Sequence, residues 1–239
     1  MNKILRLYVI FIGLFLMNRT TFSQTNYSEL ALTGSGELNL VGSTHKLQKE
    51  VFEAFTKMKK EALKEGILLQ IVSAYRSINR QEEIWNRKFT TYISEGNLPQ
   101  QAIKKIIEYS TIPGTSRHHW GTDIDIIDSI QKAPKKLLID ENYSRGGSYS
   151  NLKIWMDNNA EKFGFYLVYD DDPLRKGFKF EPWHYSFMPI SKPMLNGFLE
   201  IDLYRLIQKM NLKGNAFLTK EFLDSYLINN ILDINPMLK

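Results

Sequence analysis

The sequence predicts an α+β fold, and three observations carry that expectation. The chain has 239 residues, 43% hydrophobic and 24% charged, which is ordinary for a globular protein able to bury a core. Helical stripes and β-branched runs are mixed along it without a regular βα alternation, which argues against a doubly wound sheet. No internal repeat appears at solenoid periods.

Residues 1–23 read as a secretory signal peptide. Lys3 and Arg6 make a basic start, an apolar run covers Leu7 to Met17, and Thr21 and Ser23 are the small residues before a cut. The run is short for a membrane span, which needs roughly 20 residues. On this reading the mature chain is periplasmic or extracellular and has no stable membrane insertion. The segment takes three of the 31 basic residues and no acid, leaving 28 basic against 26 acidic residues. That balance excludes a nucleic-acid partner on charge alone. The chain has no cysteine, so it has no disulfide, lipid-modified Cys or thiolate metal ligand.

Residues 24–44 are polar, carry Gly34, Gly36 and Gly42, and read as a linker. Ser43 or Thr44 can cap a helix from about His45 to Lys64 with Leu47, Val51, Phe52, Phe55, Met58, Ala62 and Leu63 on its apolar stripe. Ile67 to Ser73 is β-branched and reads as a strand. Asn79 caps a second helix from Arg80 to about Ser94, and a short helix follows near Leu98 to Tyr109. Pro113-Gly114 breaks the chain, and Gly121 to Ile127 is a strand. A helix runs from Ser148 or Ser150 through Phe163, Phe165 to Tyr169 is a strand, and Phe178 to Phe187 is extended. Asp170-Asp171-Asp172 is a solvated turn, since it lacks calcium-loop ligand spacing. The tail holds two helical stripes, one with Leu203, Leu206 and Met210, the other with Phe222, Tyr226, Leu227 and Ile231. The domain division is therefore a signal peptide over 1–23, a linker over 24–44, a catalytic domain over 45–190 and a helical C-terminal extension over 191–239.

The chemistry is concentrated. Of four histidines, three lie in two short segments, Ser116 to Asp125 and Glu181 to Tyr185. Zinc accepts imidazole and carboxylate, and a catalytic zinc keeps three protein ligands and one open position. Two His and one Asp satisfy that count. Glu181, three residues before His184, is placed to act as a general base beside the metal. Spacing alone leaves open whether Asp123 or Asp125 is the ligand, since both lie on one strand face, and whether His118 or His119 is.

These segments resemble the zinc D-Ala-D-Ala carboxypeptidase family (VanY-like), within the larger group of lysostaphin-type peptidases, DD-peptidases and hedgehog domains. The family's Ser-x-His-x-x-Gly-x-Ala-x-Asp matches at Ser116, His118, Gly121 and Asp125, and its Glu-x-x-His at Glu181 and His184. Ser73-Ala74-Tyr75-Arg76-Ser77 followed by Gln81 is similar to a third stretch. The resemblance covers roughly residues 45–188. It implies a small antiparallel sheet flanked by helices, hedgehog/DD-peptidase-like, with a helical tail outside the motifs. It implies Zn2+ as cofactor, held by His118, Asp125 and His184, with Glu181 and Arg76 catalytic and Ser116, Gln81, Trp183 and Tyr185 touching substrate. The implied substrate is a peptidoglycan stem peptide losing its terminal D-amino acid. The same resemblance allows an endopeptidase or a metal-stabilised binding module. One departure is plain: Asp123 stands where the family usually has Ala. It is expected beside the metal, orienting an imidazole or water. His119 is expected as a pocket wall.

Overall fold

The computed structural model describes residues 27–239, so the expected signal peptide lies outside the described residues. Among these residues, no helix is long and apolar enough to cross a membrane.

The centre is a four-stranded antiparallel sheet. In chain order its strands are β3 (Leu69–Ser73), β4 (Asp123–Asp128), β5 (Phe165–Leu167) and β6 (His184–Phe187), arranged β3-β4-β6-β5. A separate two-stranded ribbon joins β1 (Leu40–Val41) to β2 (Leu47–Gln48). Side chains alternate across a strand, so register decides which residues share a face. Ile71 pairs with Ile126, Ile124 with Tyr185, and Phe165 with Phe187. These apolar residues face the core and join one hydrophobic cluster with Phe55, Met58, Leu152 and Trp155. On the opposite face Asp125 pairs with His184 and with Ser73, and Asp123 pairs with Ser186. One sheet therefore has an apolar side that holds the fold and a polar side that carries the chemistry.

The sheet is flanked by α2 (Lys49–Lys64), α3 (Ile78–Ser94), α4 (Pro99–Ile106) and α5 (Ser150–Asn159). Helix α2 starts later than expected: the chain is still extended through β2, and Gln48 occupies the N-cap. Val51, Phe55, Met58 and Ala62 are buried, whereas Phe52 and Leu63 turn outward. Ser77, not Asn79, caps α3, its Oγ accepting from Arg80 N.

Residues 27–44 do not behave as a linker where they are described. Helix α1 (Glu29–Leu32) buries Ala31 and Leu32, and Leu32 O accepts a hydrogen bond of 2.9 Å from Trp120 Nε1. Gly34 O accepts from Ile78 N. Glycines and polar residues gave this stretch its linker appearance, yet Ala31 and Leu32 are buried in the core while Leu30 stays exposed.

The boundary expected at residue 190 falls inside α6 (Met188–Phe198), a helix that carries Pro193 in its interior. Pro189 lies in its first turn, and the buried side of Ile190, Met194, Leu195 and Phe198 holds it to the core. Two further helices follow, α7 (Leu203–Gln208) and α8 (Lys220–Tyr226), the latter running into a single π-turn over Leu227–Ile231. The tail packs on the rest of the fold. Trp85 Nε1 donates to Lys213 O, and Tyr226 Oη accepts from Ile112 N and bonds Thr115 Oγ1.

Candidate metal centre

Strand β4 supplies Asp125 and β6 supplies His184, directly opposite one another in the ladder. His118 comes from the 3-10 turn Arg117–Trp120 that leads into β4. Gly121 ends that turn at φ 66°, and a Cβ there would come 2.7 Å from Leu40 Cδ2. Glycine thus meets both a conformational and a steric demand at the bend that aims His118 back at Asp125. One ligand atom from each of His118, Asp125 and His184 lies within 4.8 Å of the others, and all three residues are buried.

The two imidazoles are turned in opposite senses. His118 Nδ1 is 2.8 Å from Ala74 O, and a carbonyl can only accept, so Nδ1 carries the proton and Nε2 faces Asp125 Oδ2 at 3.4 Å. His184 Nε2 is 3.0 Å from Asp123 Oδ1, which turns Nδ1 toward Glu181 Oε2 at 3.0 Å and Asp125 Oδ1 at 3.9 Å. One lone pair from each ring thereby converges beside Asp125.

The donor set fits a divalent cation. Asp125 Oδ1 is buried without a hydrogen-bond partner, an expense that a bound cation would remove. Three carboxylates, Asp123, Asp125 and Glu181, surround His184. Burial opposes charge on this imidazole, yet hydrogen bonds to Asp123 and Glu181 and the charge of Asp125 lift its pKa to about 10. Burial likewise opposes ionisation of Asp125, but His118, His184 and Arg76 hold its carboxyl at about 2. A centre that attracts a proton so strongly attracts a metal ion for the same reason.

These groups open onto a cleft of about 570 Å³, which Arg76, Lys88, Ser116, Glu181 and Trp183 also line. Arg76 is held at two points, Nη1 donating to Gln81 Oε1 at 2.9 Å and Nη2 to Ser73 Oγ at 3.0 Å. Its backbone is strapped to the histidine turn: Arg76 N donates to His118 O, and His119 Nδ1 donates to Arg76 O.

Three expected roles change. Gln81 is wholly buried and does not line the cleft; it braces Arg76 and donates to Thr111 O. Tyr185 follows His184 on a strand, so it points to the apolar face, away from the cleft. His119 is neither ligand nor pocket wall. It is fully buried, accepts from Gly114 N at Nε2, and burial pushes its pKa down to about 3, so it stays neutral.

Lys88 was not singled out from sequence. It lies four residues after Ile84 on α3, and both side chains line the cleft. Burial lowers its pKa while Glu181 raises it. That i, i+4 spacing was visible, but nothing in the sequence marked this side of α3 as the wall of the site.

Comparison with known proteins agrees with this architecture. The family model for VanY, D-alanyl-D-alanine carboxypeptidase, matches residues 44–190. A D-alanyl-D-alanine carboxypeptidase of Enterococcus faecalis is 29% identical over 181 residues, covering 74% of this chain and 59% of the relative. A putative carboxypeptidase, YodJ of Bacillus subtilis, is 29% identical over 144 residues, covering 59% of this chain and 46% of the relative. The chain thus spans less than two thirds of the length of these curated relatives. VanYB in complex with D-alanine-D-alanine superposes with a TM-score of 0.53 at 21% identity, covering 74% of this chain and 91% of that one. A point mutant of the D,D-pentapeptidase VanY in complex with Zn(II) gives 0.52 at 21% identity, covering 77% and 90%. These superpositions establish the fold. With the family model matched over more than half of its length and that fold beneath it, the chain belongs to the VanY family of D-alanyl-D-alanine carboxypeptidases.

Proposed function

We propose that this chain is a zinc-dependent carboxypeptidase that removes a terminal D-amino acid, D-Ala, from peptidoglycan stem peptides outside the cytoplasm. The observation that carries the reading is the convergence of His118, Asp125 and His184 beside Glu181 and Arg76 in one cleft. His118, Asp125 and His184 would hold a zinc ion, which would supply Lewis acidity and lower the pKa of water at the site.

The chain's own residues do the rest. Glu181 accepts the proton of the attacking water and delivers it to the leaving amine. Arg76, fixed by Gln81 and Ser73, directs its guanidinium at the oxygen that gains charge as the carbonyl is attacked. Ser116 and Trp183 line the cleft and seat the peptide.

Charge favours a chain end over an internal bond. A terminal carboxylate needs cations, and Arg76 and Lys88 both line the cleft. Among the described residues the Lys88 ammonium has neither an ion-pair nor a hydrogen-bond partner, so it is available to such an anion. Asp123, whose charge would repel a carboxylate, is itself paired with Arg117.

Mass spectrometry of purified muropeptides incubated with the zinc-loaded protein tests the reading. Loss of one terminal residue is expected. Release of larger fragments would replace it with endopeptidase action. Amidating the terminus of a stem pentapeptide should lower kcat/KM by about 10-fold or more, as a charge-assisted hydrogen bond is lost.

A further inference from the structure

The carboxylate that departs from the family pattern is not isolated. Asp123 is completely buried, and four donors surround it. Arg117 Nε reaches Oδ1 at 3.0 Å, and His184 Nε2 reaches the same oxygen at 3.0 Å. Thr122 Oγ1 and Ser186 Oγ reach Oδ2 at 2.6 and 2.9 Å. Ser186 also accepts from Arg117 Nη2 at 2.7 Å, closing a ring of three side chains. Arg117 lies over the Trp120 ring, 4.8 Å from its centroid, and is buried as well. The ladder register sets this up, because Asp123 is the direct partner of Ser186 and lies two residues from Asp125 on the same face.

We propose that Arg117, Asp123 and Ser186 form a charge-compensated brace behind the metal centre, in which Asp123 is a positioning residue that fixes the ring of His184 and Arg117 acts through Asp123. A ligating imidazole is free to rotate and to exchange tautomers unless its other nitrogen is held, and such outer partners are commonly worth 10- to 100-fold in metal affinity. A neutral carbonyl does this for His118. For His184 the holder is a full carboxylate, which binds the ring N–H more strongly but is costly to bury alone. Arg117 removes that cost. The cation and the anion are therefore interdependent: either one without the other is an unpaired buried charge, whereas loss of both leaves only a gap.

The inference rests on the zinc reading of the trio, and its test separates the two. Zinc affinity is measured by chelator competition for the wild-type chain, Asp123→Asn, Asp123→Ala, Arg117→Met and the Arg117→Met/Asp123→Ala double variant. Melting temperatures of the metal-free forms are recorded alongside. Asp123→Ala should weaken zinc binding about 10- to 100-fold, with Asp123→Asn intermediate, since the amide oxygen still accepts from Nε2. Arg117→Met should weaken binding by itself and add nothing once Asp123 is gone, and the double variant should melt above the value expected from adding the two single losses. The isosteric Asn variant keeps the test open if the Ala variant does not fold. Zinc affinities of Asp123→Ala and Asp123→Asn within 2-fold of wild type, or fully additive losses, would overturn the brace while leaving the metal site standing. A wild-type chain that binds no zinc would overturn both.

Discussion

Asp125 and His184 face each other across the β4–β6 ladder, with Asp125 Oδ1 3.9 Å from His184 Nδ1. Two of the three proposed ligands are therefore placed by strand pairing, and only His118 depends on a turn. Zinc content should be about one equivalent per chain. Asp125→Ala and His184→Ala should each abolish tight binding, measured by elemental analysis after dialysis. Full retention of metal by either variant would remove that residue from the centre.

Glu181→Gln preserves the shape of the side chain but removes its ability to take a proton. Zinc content should be unchanged and kcat should fall at least ~10²-fold, the usual scale for a general acid–base group. Near-normal turnover would point to another base.

Arg76 and Gln81 form a second pair to separate. Arg76→Ala should lower kcat by about 10²- to 10³-fold if the guanidinium stabilises the developing oxyanion. Gln81→Leu should cost less, roughly 10-fold, mainly in kcat, because Ser73 still holds the other guanidinium nitrogen. A Gln81→Leu effect confined to KM would contradict the bracing role.

The pH dependence follows from His184. In the metal-free protein its pKa is raised from 6.5 to about 10: burial opposes the charge, but Asp123, Glu181 and Asp125 more than offset it. A raised folded-state pKa stabilises the fold fully below the unfolded value of 6.5, and the contribution disappears as pH climbs through about 10. Zinc competes for the same nitrogen, so its affinity should rise across that window. Chelator-treated protein should therefore lose Tm between pH 6.5 and 10 while zinc Kd tightens. A metal-free Tm that increases with pH over this range would contradict the assignment.

The tail should matter to stability. Tyr226→Phe leaves Ile112 N–H without its buried acceptor, while Thr115 Oγ1 keeps only its bond to Ile112 O. The expected cost is about 1–3 kcal/mol of unfolding free energy, read from denaturant titration. A change within ~0.3 kcal/mol would show that water replaces the hydroxyl.

That His118, Asp125, His184 and Glu181 would lie together was legible because chemistry-bearing residues are rare and clustered in this sequence. Period-two alternation put Asp123 and Asp125 on one face, as the structure has them. What could not be read was which strand lies beside which. Without the β4–β6 pairing, the Asp123–His184 contact and the partnership of Arg117 with Ser186 have no signature. Gln81 and Tyr185 were misassigned for a related reason: proximity in sequence to a functional residue does not fix the direction of a side chain. The linker reading failed because its evidence was polarity, whereas two buried residues, Ala31 and Leu32, were enough to anchor the segment. Helix α6 was not read from the sequence; it keeps Pro193 in its interior because the packing of its buried side outweighs local propensity.

The link between Ile112 and Tyr226 spans 114 residues, and that between Leu32 and Trp120 spans 88. Trp120 ends the turn that carries His118, and Ile112 precedes it. The Leu32–Trp120 bond needs only the first 120 residues, whereas the Ile112–Tyr226 bond needs the chain as far as residue 226. Long-range closures of this kind are slow. The contacts of Tyr226 with Ile112 and Thr115 are therefore available only late in synthesis.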